Sequence, residues 1–221
     1  MRILAVSDEE CPVFWDYYTP GRLDEYDLIL SCGDLKADYL TFLVTMGKGR
    51  LFYVPGNHDE AYSSYPPEGC ENIDGHLVVY NGLRILGLGG CLRYHPGPYQ
   101  YTDQQMTRRV RKLDRAIKKA GGVDIVITHA PPRGIGDLDD PAHRGFEAYV
   151  GLMEKWKPKY FLHGHTHLRY NSGIPREHEY CGTRVINVSE RFVLDVDSDE
   201  VDRSAEPVWI TRRGREERDM I

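Results

Sequence analysis

Leu51-Phe52-Tyr53-Val54-Pro55-Gly56-Asn57-His58-Asp59 is an apolar run of strand length that breaks directly into a glycine turn carrying an amide, an imidazole and a carboxylate. The design returns at Tyr160-Phe161-Leu162-His163-Gly164-His165-Thr166-His167. Upstream, Val6-Ser7-Asp8 and Cys32-Gly33-Asp34 each close an apolar run with a carboxylate, and Thr128-His129-Ala130 closes another with a histidine. One such terminus is noise. Five of them point to a single site, because the ligand crevice of an open α/β sheet lies at the carboxyl ends of its strands.

Working outward, apolar runs of strand length recur at 2–6, 27–30, 51–54, 76–80, 83–88, 124–128, 159–162, 183–188 and 191–196, each ended by polar or glycine residues. Helical patterns are fewer, at 36–46, 103–120 and 146–155. So many strands for so few helices do not suit one doubly wound sheet. Asn81-Gly82 between two apolar runs predicts a two-residue hairpin and hence antiparallel pairing in mid-chain. The expected fold is α/β (α+β), a four-layer αββα sandwich of two mixed sheets with helices on both outer faces. Residues 1–196 read as one domain. Residues 197–221 read as a charged extension, an edge strand at 208–210 followed by a loose tail.

Composition narrows the function. The chain has 221 residues, 41% hydrophobic and 28% charged, enough for a sizeable core. A net charge of -6 speaks against general polyanion binding, which depends on clustered Lys and Arg, so nucleic acid is not the expected partner. The five cysteines are odd in number and lack a C-x-x-C pair, which suggests neither a disulfide framework nor a zinc knuckle and fits a reducing cytoplasm. The opening apolar run is too short for a signal peptide or a membrane span, and no later run reaches spanning length. The expectation is a cytoplasmic protein of undetermined oligomeric state.

Oxygen and imidazole donors from several loops suit divalent Mn, Fe or Zn, and Cys32 has no partner thiol near it in sequence. Glycine recurs in these turns because a missing Cβ lets the backbone bend sharply and approach an ion. Taken in order and spacing, Asp8, Gly33-Asp34, Gly56-Asn57-His58-Asp59, Thr128-His129 and Gly164-His165-Thr166-His167 resemble the calcineurin-like metallophosphoesterases over roughly the first 190 residues. The resemblance implies an αββα sandwich and two divalent ions. Asp8 and His167 would hold one ion, Asp34 would bridge both, and Asn57, His129 and His165 would hold the second. It further implies a metal-bridging hydroxide as nucleophile and His58 as proton donor or charge stabiliser at the leaving oxygen.

Two departures stand out. Where the family's first motif carries histidine this chain has Glu10, which is either a solvated loop acid or, as favoured here, a carboxylate ligand. A third carboxylate would lower the charge of the site and favour Mn over Zn. Asp38 is one position away from the acid that supports the catalytic histidine in some members, with Ala37 in its place, so Asp38 is left out of the site. His163 reads as a packed histidine rather than a ligand, and His76, His143 and His178 have no motif around them. Arg93, Tyr94 and His95 open a Tyr-, Pro- and Gly-rich loop and are the candidate contacts to substrate. The resulting expectation is a metal-dependent phosphoesterase, either phosphodiesterase or phosphatase, acting on a small-molecule ester. The alternative is a non-catalytic interaction scaffold on the same fold.

Overall fold

Two mixed sheets take up the apolar runs. The computed structural model describes residues 1–169, 173, 175–197, 208–210 and 216–217. The first half contains β1 (Arg2–Ser7), β2 (Leu28–Ser31), α1 (Ala37–Met46), β3 (Arg50–Tyr53), β4 (Glu71–Asn72), β5 (Leu77–Tyr80), β6 (Leu83–Leu88), β7 (Cys91–Leu92) and β8 (Gln100–Tyr101). There follow α2 (Asp103–Lys119), β9 (Ile125–Thr128), α3 (Glu147–Trp156), β10 (Tyr160–His163), β11 (Glu177–Tyr180), β12 (Thr183–Asn187), β13 (Glu190–Asp195), β14 (Val208–Ile210) and β15 (Glu216–Glu217). One sheet has the order β13-β1-β2-β3-β4 and the other β11-β12-β10-β9-β6-β5-β14-β15, while β7 and β8 form a small separate pair.

Side chains alternate across each strand, so every strand feeds two layers. Ile3, Ala5, Leu28, Leu30 and Phe52 of the first sheet face Ile85, Ile125, Ile127, Leu162 and Ile186 of the second in one buried inter-sheet core. Their neighbours Leu4, Ile29 and Leu51 point the other way and pack with Leu40 and Leu43 of α1. On the far side Leu86, Val126 and Phe161 pack with Met106, Leu113 and Ile117 of α2 and with Tyr149 and Leu152 of α3. This is the expected four-layer sandwich. Each fully buried branched aliphatic contributes about 1.5–3 kcal/mol, so the fold rests on these three apolar interfaces.

Local chemistry explains the boundaries. Thr102 and Gln105 form a reciprocal capping box that starts α2. Asn81 and Gly82 both take positive φ, 47° and 79°, and turn β5 into its antiparallel partner β6 as the sequence predicts. The strand at 177–180, absent from the sequence reading, pairs antiparallel with β12 at the rim of the larger sheet. Its charged, exposed residues Glu177 and Glu179 hide the usual apolar signal.

The predicted edge strand at 208–210 pairs antiparallel with β5 and is itself flanked by β15. Apart from that two-residue strand, the predicted loose tail lies outside the described residues. Trp209 is 3% exposed, belongs to the inter-sheet core and stacks edge-on against His76 at 5.6 Å. Residues beyond 196 therefore contribute to the same core as residues before it. Substituting Trp209 with Ala is expected to destabilise the protein by about 3–5 kcal/mol, the usual cost of emptying a buried aromatic site, measured as the shift in a denaturant unfolding midpoint.

Candidate metal centre

The carboxyl ends of β1, β2 and β3 in one sheet meet those of β9 and β10 in the other, and the predicted ligands leave the strands there. Asp8, Asp34 and His165 all adopt left-handed backbone, with φ of 66°, 57° and 68°. Non-glycine residues avoid this region at a cost of order 1 kcal/mol or more each, and they persist in it where the surrounding fold imposes it. The imposition is visible in two glycines. A Cβ on Gly56 would collide with Asp34 Oδ1, and one on Gly164 would collide with Ser7 Oγ and lie 2.6 Å from Asp8 Oδ2.

Hydrogen bonds fix these loops against one another. The Asp59 carboxylate accepts from the backbone N–H of Gly56 at 2.7 Å and of Asp34 at 2.8 Å, tying the turns after β2 and β3. Asp34 Oδ1 accepts from the N–H of His58 at 2.8 Å. Asp8 crosses to the other sheet, where both its carboxylate oxygens accept from the N–H of His165, at 2.9 and 3.1 Å. His129 Nδ1 is paired with the Cys32 carbonyl at 2.8 Å, which turns Nε2 inward.

Around His129 Nε2 the donors gather: Asn57 Oδ1 at 3.0 Å, His165 Nδ1 at 3.1 Å and Asp34 Oδ2 at 3.2 Å. The ligand atoms of Asp34, His129 and His165 all lie within 4.8 Å of one another. His165 Nε2 is held from behind by the Ala142 carbonyl at 2.7 Å, and His143 stacks on the same ring at 5.2 Å. Two imidazoles, an amide oxygen and a carboxylate make a mixed N/O set that fits a borderline or hard divalent ion. Cys32 offers no alternative, because burial pushes its thiol far above the usual range.

Electrostatics also suit a cation. Burial raises the pKa of Asp8, with the Asp34 charge adding to it, whereas Asp34 is held well below the usual range because His129 and the His58 N–H outweigh its burial. Burial alone would depress His129, yet Asp34 and Asp8 lift it to about 9. His165, buried beside His129, is lowered to about 3 and so remains neutral and able to ligate. Burial and the Asp34 charge raise Asp59 to about 6.

The remaining predicted residues fall in different places. His167 is half-buried beside Glu9, with Nδ1 3.6 Å from Glu9 Oε1, an oxygen that is buried and makes no hydrogen bond. Glu9 also faces Arg169 at 3.4 Å. Glu10 instead pairs with Lys36, its Oε1 3.1 Å from Nζ. The His58 side chain is exposed and lines a cavity next to the centre. Of the three loop residues, Tyr94 reaches the site, its hydroxyl accepting from Asn57 Nδ2 at 3.3 Å. Arg93 turns away to the Gln100 carbonyl and Gln105, and His95 is held by the Gln100 side chain. His163 faces out of the cage towards Gly136, its Nδ1 against the Gly164 carbonyl, and burial lowers it to about 4. Asp38 accepts from Tyr65 at 2.8 Å on the first turn of α1.

The sequence reading missed Glu9 and His143. Glu9 adjoins Asp8 but gives no sign of where the chain directs it after a left-handed residue, and His143 sits in a loop with no apolar run to place it.

Comparison with known proteins agrees with this geometry. A family model described as calcineurin-like phosphoesterase matches residues 1–169. Lariat debranching enzymes from Caenorhabditis briggsae and Entamoeba histolytica are 23% and 24% identical to the chain over 73% and 63% of its length. The chain spans less than half of these relatives, 45% and 46%. TT1561 of Thermus thermophilus shares the fold with a TM-score of 0.56 at 16% identity, covering 86% of this chain and 89% of that one. GAP50, the anchor in the inner membrane complex of Plasmodium, does so with a TM-score of 0.53 at 11% identity, over 96% and 81%. No helix among the described residues is long and apolar enough to cross a membrane. With the family model matched over most of its length and a donor set gathered at the strand ends, the chain belongs to the calcineurin-like phosphoesterase family.

Proposed function

We propose that this chain hydrolyses a phosphate mono- or diester using two divalent ions held where the two sheets meet. The observation that carries the reading is the gathering of Asp34, Asn57, His129 and His165 donor atoms around one point. These four would hold one ion. Asp8 and His167 would hold the other, with Asp34 shared. Bound there, the ions would supply an acidified water and neutralise charge building on phosphorus. Three oxygen ligands and three imidazoles suit a borderline or hard divalent ion, with Mn, Fe and Zn as the candidates.

The chain's own groups do the rest. His58, anchored through its N–H to Asp34 and open to the adjoining cavity, is placed to protonate the leaving oxygen. Glu9 stands beside His167 and supports the first ion by orienting that imidazole, as carboxylates commonly do for metal-bound histidine. Glu10 is engaged by Lys36, which argues against the ligand role expected from its spacing. Asn57 is steadied by Tyr94.

Three outcomes follow. His58→Ala is expected to cut turnover of an alkyl diester about 100-fold and of bis(4-nitrophenyl) phosphate far less, because nitrophenolate departs without a proton. Steady-state kinetics with added Mn check this, and an equal loss on both esters would remove His58 from the acid role. Absence of both metal uptake and turnover would leave the interaction scaffold as the function.

Glu9→Ala is expected to weaken Mn binding at one site about tenfold, at the low end for removal of a partner behind a ligand, while Glu10→Ala leaves affinity unchanged. Titration calorimetry decides between them, and the reverse order would make Glu10 the ligand.

His129 carries its proton below a pKa of about 9 and must lose it to ligate. Metal uptake at pH 7–8 should therefore release close to one proton through this residue, and apparent affinity should rise with pH until about 9. Calorimetry in buffers of different ionisation enthalpy measures that proton count.

A further inference from the structure

Beside His58 the surface opens into a cavity of about 380 Å³, large enough for one ring system and a short linker. Asp34 and His58 of the site line it, together with the small residues Ala37 and Ala61. Tyr65 lines it with 56% of its surface exposed. The ring is nonetheless held in place, because its hydroxyl donates to Asp38 Oδ1 at 2.8 Å. An exposed ring anchored by its hydroxyl is a stacking face whose ordering is already paid for.

Charge defines what can stack there. Asp34, Asp38 and Asp59 line the cavity, and Lys36, its one ammonium, is paired with Glu10 at 3.1 Å. Asp34 belongs to the ion site and the buried Asp59 carboxylate is taken up by the N–H groups of Gly56 and Asp34, which leaves the exposed Asp38 to face a bound group. A second phosphate or a carboxylate would meet the Asp38 charge, and an uncharged ring would not. A separate cavity formed by residues 93–97 shares no lining residue with this one and lies on the Tyr94 side of the same Asn57-His58 turn.

From this geometry we infer that the Tyr65 cavity receives the leaving alcohol of the ester and selects an uncharged planar ring, aromatic or heteroaromatic, with Tyr65 as the stacking surface. The inference rests on the phosphoesterase reading above, in which His58 marks the leaving side. It narrows the substrate class to phosphate esters of neutral ring-bearing alcohols.

The test uses methyl 4-nitrophenyl phosphate, whose only ring is the leaving group, with the Mn-loaded full chain. Tyr65→Ala is expected to raise KM about tenfold, within the range for loss of one stacked ring, while Tyr65→Phe, which keeps the ring but loses its anchor on Asp38, raises it less, and Mn affinity is unaltered in both. Turnover by the wild type with unchanged KM in Tyr65→Ala would overturn the inference and leave the phosphoesterase reading standing. Methyl 4-carboxyphenyl phosphate should show a higher KM than the nitrophenyl ester, and equal values would overturn the selection against charge. Should the wild type turn over neither ester, the phosphoesterase reading fails, and saturation-transfer NMR with phenylphosphonate on the Zn-loaded chain still decides the cavity. A ring signal lost in Tyr65→Ala supports it, and a signal that is absent from the wild type or insensitive to the substitution overturns it.

Discussion

Asp34 is where the two sheets become one site. It leaves β2 of the first sheet in a left-handed turn, and its Oδ2 lies 3.2 Å from Nε2 of His129 at the end of β9 in the second. A carboxylate and an imidazole reach this separation only if the inter-sheet core sets the spacing of the strands behind them. The core does so with small and branched residues, Ala5, Leu30, Ile127 and Leu162 among them. The ligand loops can then be strained because the strands beneath are not free to relax, and backbone strain of order 1–3 kcal/mol per residue is sustained by the apolar layers.

The electrostatic pattern follows from the same contact. Asp8 and Asp34 are both carboxylates near His129, yet their proton affinities shift in opposite directions. Asp34 faces the imidazolium directly, whereas burial dominates at Asp8. His129 thus carries the positive charge that Asp34 requires, and a divalent ion would replace its proton. Neutral His165 on the other side adds a donor without adding charge. The donor set and its charge suit a divalent ion, in keeping with the family's phosphoester chemistry.

Much of this was legible in the chain because ligand-bearing turns follow apolar runs without an intervening spacer. Period-two burial explains the strands, Asn81-Gly82 the hairpin and the spacing of Met106, Val110, Leu113 and Ile117 the face of α2. Fainter features have physical reasons for being so. β11 carries Glu177 and Glu179 on a half-exposed rim, so no apolar alternation marks it. Glu10 occupies the position at which the family places a ligand, but the turn at Asp8 sends Glu9 towards His167 and Glu10 towards Lys36, and spacing does not encode that rotation. Arg93 carried the charge that suggested substrate contact, yet its guanidinium finds Gln100 and Gln105 first, leaving Tyr94 to meet the site. The wall formed by Tyr65 arises from tertiary packing of the 59–65 turn against α1, which no local pattern announces.

The central claim is that Asp34 joins two ions at the meeting point of the sheets. Anomalous diffraction from crystals of the chain grown with Mn tests it most directly. Two peaks are expected, one on either side of the Asp34 carboxylate, the first beside Asp8 and His167 and the second among Asn57, His129 and His165. Peaks located elsewhere, or none in crystals whose side chains keep the arrangement described above, would contradict the account.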